Sequence, residues 1–136
     1  MAQKLKMNEI KACPINNTFQ IVGKKFSILI MRNMLLYKQT RFNQFLESVE
    51  GINSRTLSLR LRQLEKSGLI KRQVIPETPI RIEYSLIEKG RALMPILEQM
   101  GEFSTQHCPG DVFRDKKPRS FKHVVTAINE DLSAKR

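Results

Sequence analysis

The sequence predicts a mainly α-helical fold with one small β-hairpin (α+β), and three observations carry that prediction. Apolar residues recur at helical spacing through most of the chain. Between Leu69 and Leu86 the period drops from 3.6 to 2, on either side of a Pro76-Glu77-Thr78-Pro79 break that a strand cannot run through. Just before that hairpin, a tight Gly51-Ile52-Asn53-Ser54 turn joins two short amphipathic segments. The 136 residues fit one domain.

The elements follow in order. Residues 1–12 read as a basic, flexible lead. Pro14 stops any helix from running through, and Asn17 or Thr18 can cap what comes next. Phe19, Val22, Phe26, Ile30, Met34 and Leu35 keep helical spacing, with Gly23 dividing a short first helix from a longer second one. Residues 26–37 are apolar nearly all round, as suits a helix at the centre of a small domain. Thr40 can cap a third helix whose face is Phe42, Phe45, Leu46 and Val49, and Gly51 ends it. Asn53 or Ser54 caps a fourth helix carrying Leu57, Leu61 and Leu64, which Gly68 stops. Leu69–Ile75 is the first strand; Ile80, Ile82, Tyr84 and Leu86 alternate with polar residues along a half-buried second one.

A long helix runs from about 88 to 106 with Leu93, Ile96, Leu97, Met100 and Phe103 as its stripe. Pro95 kinks it or marks a fresh start, and Pro109-Gly110 breaks it. Residues 110–119 read as a linker, and Ser120 caps a last amphipathic helix bearing Phe121, Val124, Val125, Ile128 and Leu132. The predicted division is a lead (1–12), a domain (13–108) and a linker with a terminal helix (109–136). Helix, helix, helix, turn, helix, hairpin, helix is the order of a winged helix-turn-helix.

Charge points to the partner. Twenty-four Lys and Arg face thirteen Asp and Glu, a net +11 at neutral pH. A polyanion is the natural ligand: double-stranded DNA first, an acidic membrane surface second. No apolar run approaches the roughly 18 residues of a membrane span, and no apolar segment follows the basic start. The expectation is a cytoplasmic protein without membrane association. The polar face of the last helix, with Asn129, Glu130 and Asp131, also argues against an anionic membrane.

Placed at about 100° per residue, Leu57, Leu61 and Leu64 of the fourth helix share one narrow arc and must face the core. Arg55, Leu59, Arg62 and Lys66 fall opposite, with Ser58 and Gln63 at the edges and Arg60 at the shoulder. From 55 to 81 there are seven basic residues and two acidic ones. An α-helix fits the major groove, Arg suits bidentate contact with guanine, and Ser or Gln can meet other base edges. Arg55, Ser58, Leu59 and Arg62 are therefore the candidates for base readout. Thr40, Arg41, Arg60, Lys66 and Arg81 are the candidates for phosphate or minor-groove contact. The competing reading is a solvated charged face, and for Arg81 a pairing with Glu83. The alternative function is a winged-helix module that binds a protein partner without base readout.

At this point the residues resemble the HxlR-type winged helix-turn-helix regulators of bacteria and archaea, a MarR-like family. The resemblance is carried by Cys13-Pro14-Ile15, Ile21-Val22-Gly23-Lys24-Lys25-Phe26 and Arg41-Phe42-Asn43-Gln44-Phe45. Gly51-Ile52-Asn53-Ser54-Arg55-Thr56-Leu57, the run from Leu61 to Ile70, Pro79 to Leu86, and Glu88-Lys89-Gly90 complete it. Lys24, Phe26 and Ile87 depart from the family, which commonly has Gly, Trp and Thr there. The resemblance implies a homodimer on a near-palindromic operator, joined through residues around 13–23 and the 90–108 helix. Some members look like thiol sensors at the position of Cys13, so Cys13 is a candidate redox sensor. Lys11 and the helix start beside it favour a thiolate. A small buried residue at the dimer interface is the other reading of Cys13, and a Cys13–Cys108 disulfide between subunits is a third.

Nothing else suggests chemistry. His107 stands beside Cys108, but no second ligand pair exists, so no metal is expected. No Gly-rich phosphate loop, nucleophile elbow or HExxH occurs, so neither catalysis nor a cofactor is expected. The operator, the target genes and the effector are left open.

Overall fold

The computed structural model describes residues 3–135. Eight helices and one two-stranded sheet follow a 3₁₀ turn at Met7–Glu9. They are α1 (Pro14–Val22), α2 (Ser27–Leu35), α3 (Phe42–Ser48), α4 (Ser54–Lys66), β1 (Ile70–Ile75), β2 (Arg81–Leu86), α5 (Glu88–Arg91), α6 (Met94–His107), α7 (Pro109–Val112) and α8 (Phe121–Ala134). The expected winged helix-turn-helix order is present from α1 to α6, around a central α2 whose Ile30, Met31, Met34 and Leu35 are buried.

Several boundaries differ from expectation, and proline explains two of them, while at Pro95 one of the two expected outcomes holds. Pro14, Pro95 and Pro109 each sit in the first turn of a helix. There the missing N–H has no intrahelical partner to lose and the fixed φ is already helical. So Pro14 starts α1 instead of delaying it, and Asn17 and Thr18 lie inside the helix, Thr18 bonding back to the Pro14 carbonyl at 3.2 Å. Pro95 marks the fresh start of α6 after a break at Ala92-Leu93. Pro109 opens the short α7 where a linker was expected. Thr40 does not cap α3. Arg41 holds the N-cap position, and Gln44 Oε1 reaches back to accept from the Thr40 and Arg41 amides at 2.9 and 3.0 Å.

The helix-turn-helix itself forms as read. Gly51 takes φ +77° in the turn, a left-handed conformation that only glycine adopts without strain. Asn53 Oδ1 then caps α4 by accepting the Thr56 amide at 2.8 Å. Leu57, Leu61 and Leu64 are at most 2% exposed, packed against a core that includes Phe45, Val49, Ile30 and Met31. Full burial of one such leucine stabilises by about 1.5–3 kcal/mol, so this stripe fixes which face of α4 looks outward.

A buried polar chain sets α3 against α2. Asn33 donates to Gln39 at 2.8 Å, and Gln39 donates to Ser48 at 3.0 Å. Both Asn33 and Gln39 are buried, so losing either partner would strand the other.

β1 and β2 pair antiparallel, with Ile70 opposite Leu86 and Ile75 opposite Arg81. The Thr40 carbonyl accepts the Tyr84 amide at 2.8 Å, closing one edge of the sheet near its base. Tyr84 and Ile70 are buried, but Val74, Ile80 and Ile82 are exposed because the hairpin extends beyond the core. The second strand is therefore half-buried only in its latter part. Gly90 in α5 lies against the Leu69 carbonyl, where a Cβ would come within 2.1 Å, so the helix after the wing can approach the sheet only through glycine.

The last helix packs on this same domain. Ser120 caps it as expected, accepting the Lys122 amide at 3.2 Å. Phe121, Val125, Ile128 and Leu132 rest on the core, and Asn129 Nδ2 donates to the Leu36 carbonyl at 3.1 Å. Glu102 of α6 accepts the Phe121 amide at 3.0 Å.

Candidate nucleic-acid interface

Helix α4 presents Arg55, Leu59, Arg62 and Lys66 to solvent, all exposed. At 100° per residue these four share an arc of about 60°, opposite the buried leucines. Ser58 and Gln63 are half-buried at its margins. Ser58 and Arg62 also line a cleft between α4 and the hairpin, with Phe42, Glu65, Arg72 and Tyr84. Glu65 holds that cleft together by accepting the Arg72 amide at 3.3 Å. Lys71 and Arg72 are exposed on β1 beside it.

The remaining candidate residues are placed differently. Arg60 does not extend outward: its Nε donates to the Lys25 carbonyl at 2.8 Å and its Nη1 to Gln63 at 3.1 Å. It braces α4 against the turn between α1 and α2. Arg81 lies between two carboxylates, 3.3 Å from Glu77 and 3.2 Å from Glu83, and Glu83 is also 3.8 Å from Arg41. The pairing alternative for Arg81 is thus present in the geometry. Arg41 and Glu77 are exposed while Arg81 and Glu83 are half-buried, so phosphate can reach Arg41 directly and Arg81 only by displacing a carboxylate. Arg41 is exposed at the start of α3, while Thr40 is half-buried and engaged in the sheet edge through its backbone. Glu77 as a partner of Arg81 was missed. It sits four residues away across the loop, and only the turn geometry brings it back.

A second feature lies between α1, α2 and α6. It is an apolar groove of about 780 Å³ lined by Ile15, Phe19, Val22, Phe26, Ile96 and Met100 among others. Ile15 is 82%, Phe19 68%, Met100 53% and Phe103 61% exposed. Of the predicted α6 stripe, only Leu93 and Leu97 face this chain's own core. Cys13 is exposed at the N-cap position of α1, next to Pro14 on the groove wall, and Cys108 is half-buried at the end of α6. Among the described residues, no three His, Cys, Asp or Glu side chains are grouped to hold a metal ion. No described helix is long and apolar enough to cross a membrane.

The pattern of the HxlR-like helix-turn-helix family matches residues 21–111. The chain belongs to that family. The match takes in α2 to α6 and most of α7; α1 up to Gln20, and α8, lie outside it. The uncharacterized HTH-type transcriptional regulator YvaP of Bacillus subtilis is 42% identical over 101 residues, covering 74% of this chain and 93% of that one. Among solved structures, the redox regulator HypR in its oxidized form has 38% identity and a TM-score of 0.62, covering 68% of this chain and 94% of that one. The reduced form of the transcriptional regulator YodB from B. subtilis has 34% identity and a TM-score of 0.61, covering 71% and 95%. These HxlR-like relatives are named as regulators, not enzymes, which agrees with the lack of catalytic motifs in the sequence.

Proposed function

We propose that this HxlR-like chain is a cytoplasmic, sequence-specific DNA-binding regulator of transcription that acts as a homodimer on a near-palindromic operator. The observation that carries the reading is the outward face of α4: three cations and one leucine on a single arc, backed by leucines that fix its direction. Arg55, Ser58, Leu59 and Arg62 read base edges in the major groove. Lys66, Arg41, the Thr40 segment and Arg81 hold phosphate or minor groove, Arg81 by exchanging its carboxylate partners. Arg60 contributes chiefly by holding α4 in place.

The dimer is supported by the groove. Ile15 and Phe19 of α1 and Ile96, Met100 and Phe103 of α6 form an exposed apolar surface that a single soluble chain rarely leaves open. A second copy covers it isologously, which sets two recognition helices on one two-fold axis.

Titration of DNA binding with salt tests the proposal. Affinity should fall steeply and linearly in log–log form, with a preference of about a thousandfold or more for operator over random duplex. Binding with no salt dependence and no sequence preference would leave the protein-interaction module as the better reading.

Regulation by oxidation is the second part of the proposal. It is favoured by the exposure of Cys13 and by the likeness to one solved relative, the redox regulator HypR, in its oxidized and reduced forms. Cys13 and Cys108 of the partner subunit would form one S–S bond, while a peroxide takes the two electrons and two protons and leaves as water. Non-reducing gels after mild peroxide should show a covalent dimer of twice 15.8 kDa. Cys13→Ser should abolish that band. An unshifted chain with unchanged DNA affinity rejects the redox part alone.

A further inference from the structure

We infer that Leu59 reads the C5-methyl group of a thymine in the middle of each operator half-site. The inference deepens the DNA-reading proposal and rests on it. Leu59 is 42% exposed, whereas the other leucines of its helix at 57, 61 and 64 are buried to 2% or less. It therefore adds nothing to the core stripe that orients α4. It stands instead on the outward arc, with Arg55 four residues before it and Arg62 three residues after, both exposed.

The chemistry of the groove separates these three side chains. Arginine donates to guanine O6 and N7, whereas an apolar side chain has one specific partner in the major groove, the thymine methyl. Leucine has no donor or acceptor with which to meet any other base. Along the helix axis, Arg55 to Leu59 is about 6 Å and Leu59 to Arg62 about 4.5 Å at 1.5 Å per residue. Base pairs rise about 3.4 Å. A thymine under Leu59 therefore lies within about two base pairs of a guanine under either arginine. Specificity comes from the flanking bidentate contacts, and Leu59 selects which base lies between them.

The test uses the full-length chain and a duplex selected by it from a random pool. Selection should recover a thymine at a fixed place in each half-site, within about two base pairs of a guanine. Replacing that thymine by deoxyuridine removes only the methyl group. Wild-type affinity should then fall about fourfold per half-site, the equivalent of about 0.8 kcal/mol for one buried methyl-sized group. Leu59→Ala should bind thymine and deoxyuridine duplexes alike, and because Leu59 is exposed its melting temperature should stay near wild type. Equal binding of both duplexes by wild type overturns the inference while leaving the regulator reading intact. So does a methyl effect that survives Leu59→Ala, since another residue would then be responsible. Failure to enrich any sequence overturns both.

Discussion

At the scale of single residues, arginines on the same surface are expected to fail in different ways. Arg62 stands on the outward arc of α4, so Arg62→Ala should cost about 1–3 kcal/mol on the operator and relax the base preference beneath it. Arg41 is exposed at the start of α3 and pairs at 3.8 Å with the half-buried Glu83. Arg41→Ala should weaken all sequences alike and lower the salt slope by about one. Equal losses for both variants on every duplex would contradict these roles. Asn53 is a separate case, because its side chain satisfies the Thr56 amide at the start of α4. Asn53→Ala should remove about 1 kcal/mol and lower the melting temperature by about 3–5 °C in calorimetry. The outward arc was legible in the sequence because 3.6-residue periodicity needs no tertiary information. The brace from Arg60 was not, since its acceptor is the backbone of Lys25, thirty-five residues away.

At the scale of elements, the leucine stripe of α4 does the positioning. Leu61 is 1% exposed and close-packed, so Leu61→Ala should cost about 2–5 kcal/mol through lost burial and the cavity left behind. In urea titration the midpoint should fall with little change in slope; a change in slope would point to a loosened native state instead. Helix and strand identities followed from the switch in hydrophobic period, and the Gly51–Asn53 turn from its residue types. Helix starts did not follow as well. Proline serves equally as a stop and as a first-turn residue, and only the path of the preceding chain decides between them at Pro14 and Pro109. The wing tip was also misjudged. Alternation shows which side chains share a face of β2, but not how far the hairpin extends past the core, and Ile80 and Ile82 lie beyond it.

At the scale of the whole molecule, the α1 and α6 surface was implied by the family resemblance, whereas the seat of α8 was hidden from a one-dimensional reading. The seat of α8 depends on Asn129 meeting the carbonyl of Leu36, ninety-three residues earlier. Deleting residues 120–136 uncovers four half-buried apolar contacts at 121, 125, 128 and 132. It should lower stability by about 3–6 kcal/mol, at half the usual gain per buried side chain, read as a lower midpoint in urea. The groove between α1 and α6 predicts concentration-dependent assembly, and Phe19→Glu should shift sedimentation to the monomer and weaken operator binding with it. Phe26 adopts φ +77°, a conformation that is strained for a bulky residue, and the neighbouring Lys25 carbonyl is held by Arg60 of α4. Arg60 is therefore a strut between the groove wall and α4. On the proposed DNA-reading role, a change in the 23–26 turn would reach α4 through the Arg60–Lys25 hydrogen bond. By reciprocity, a duplex bound as proposed would bias the turn with the same coupling free energy.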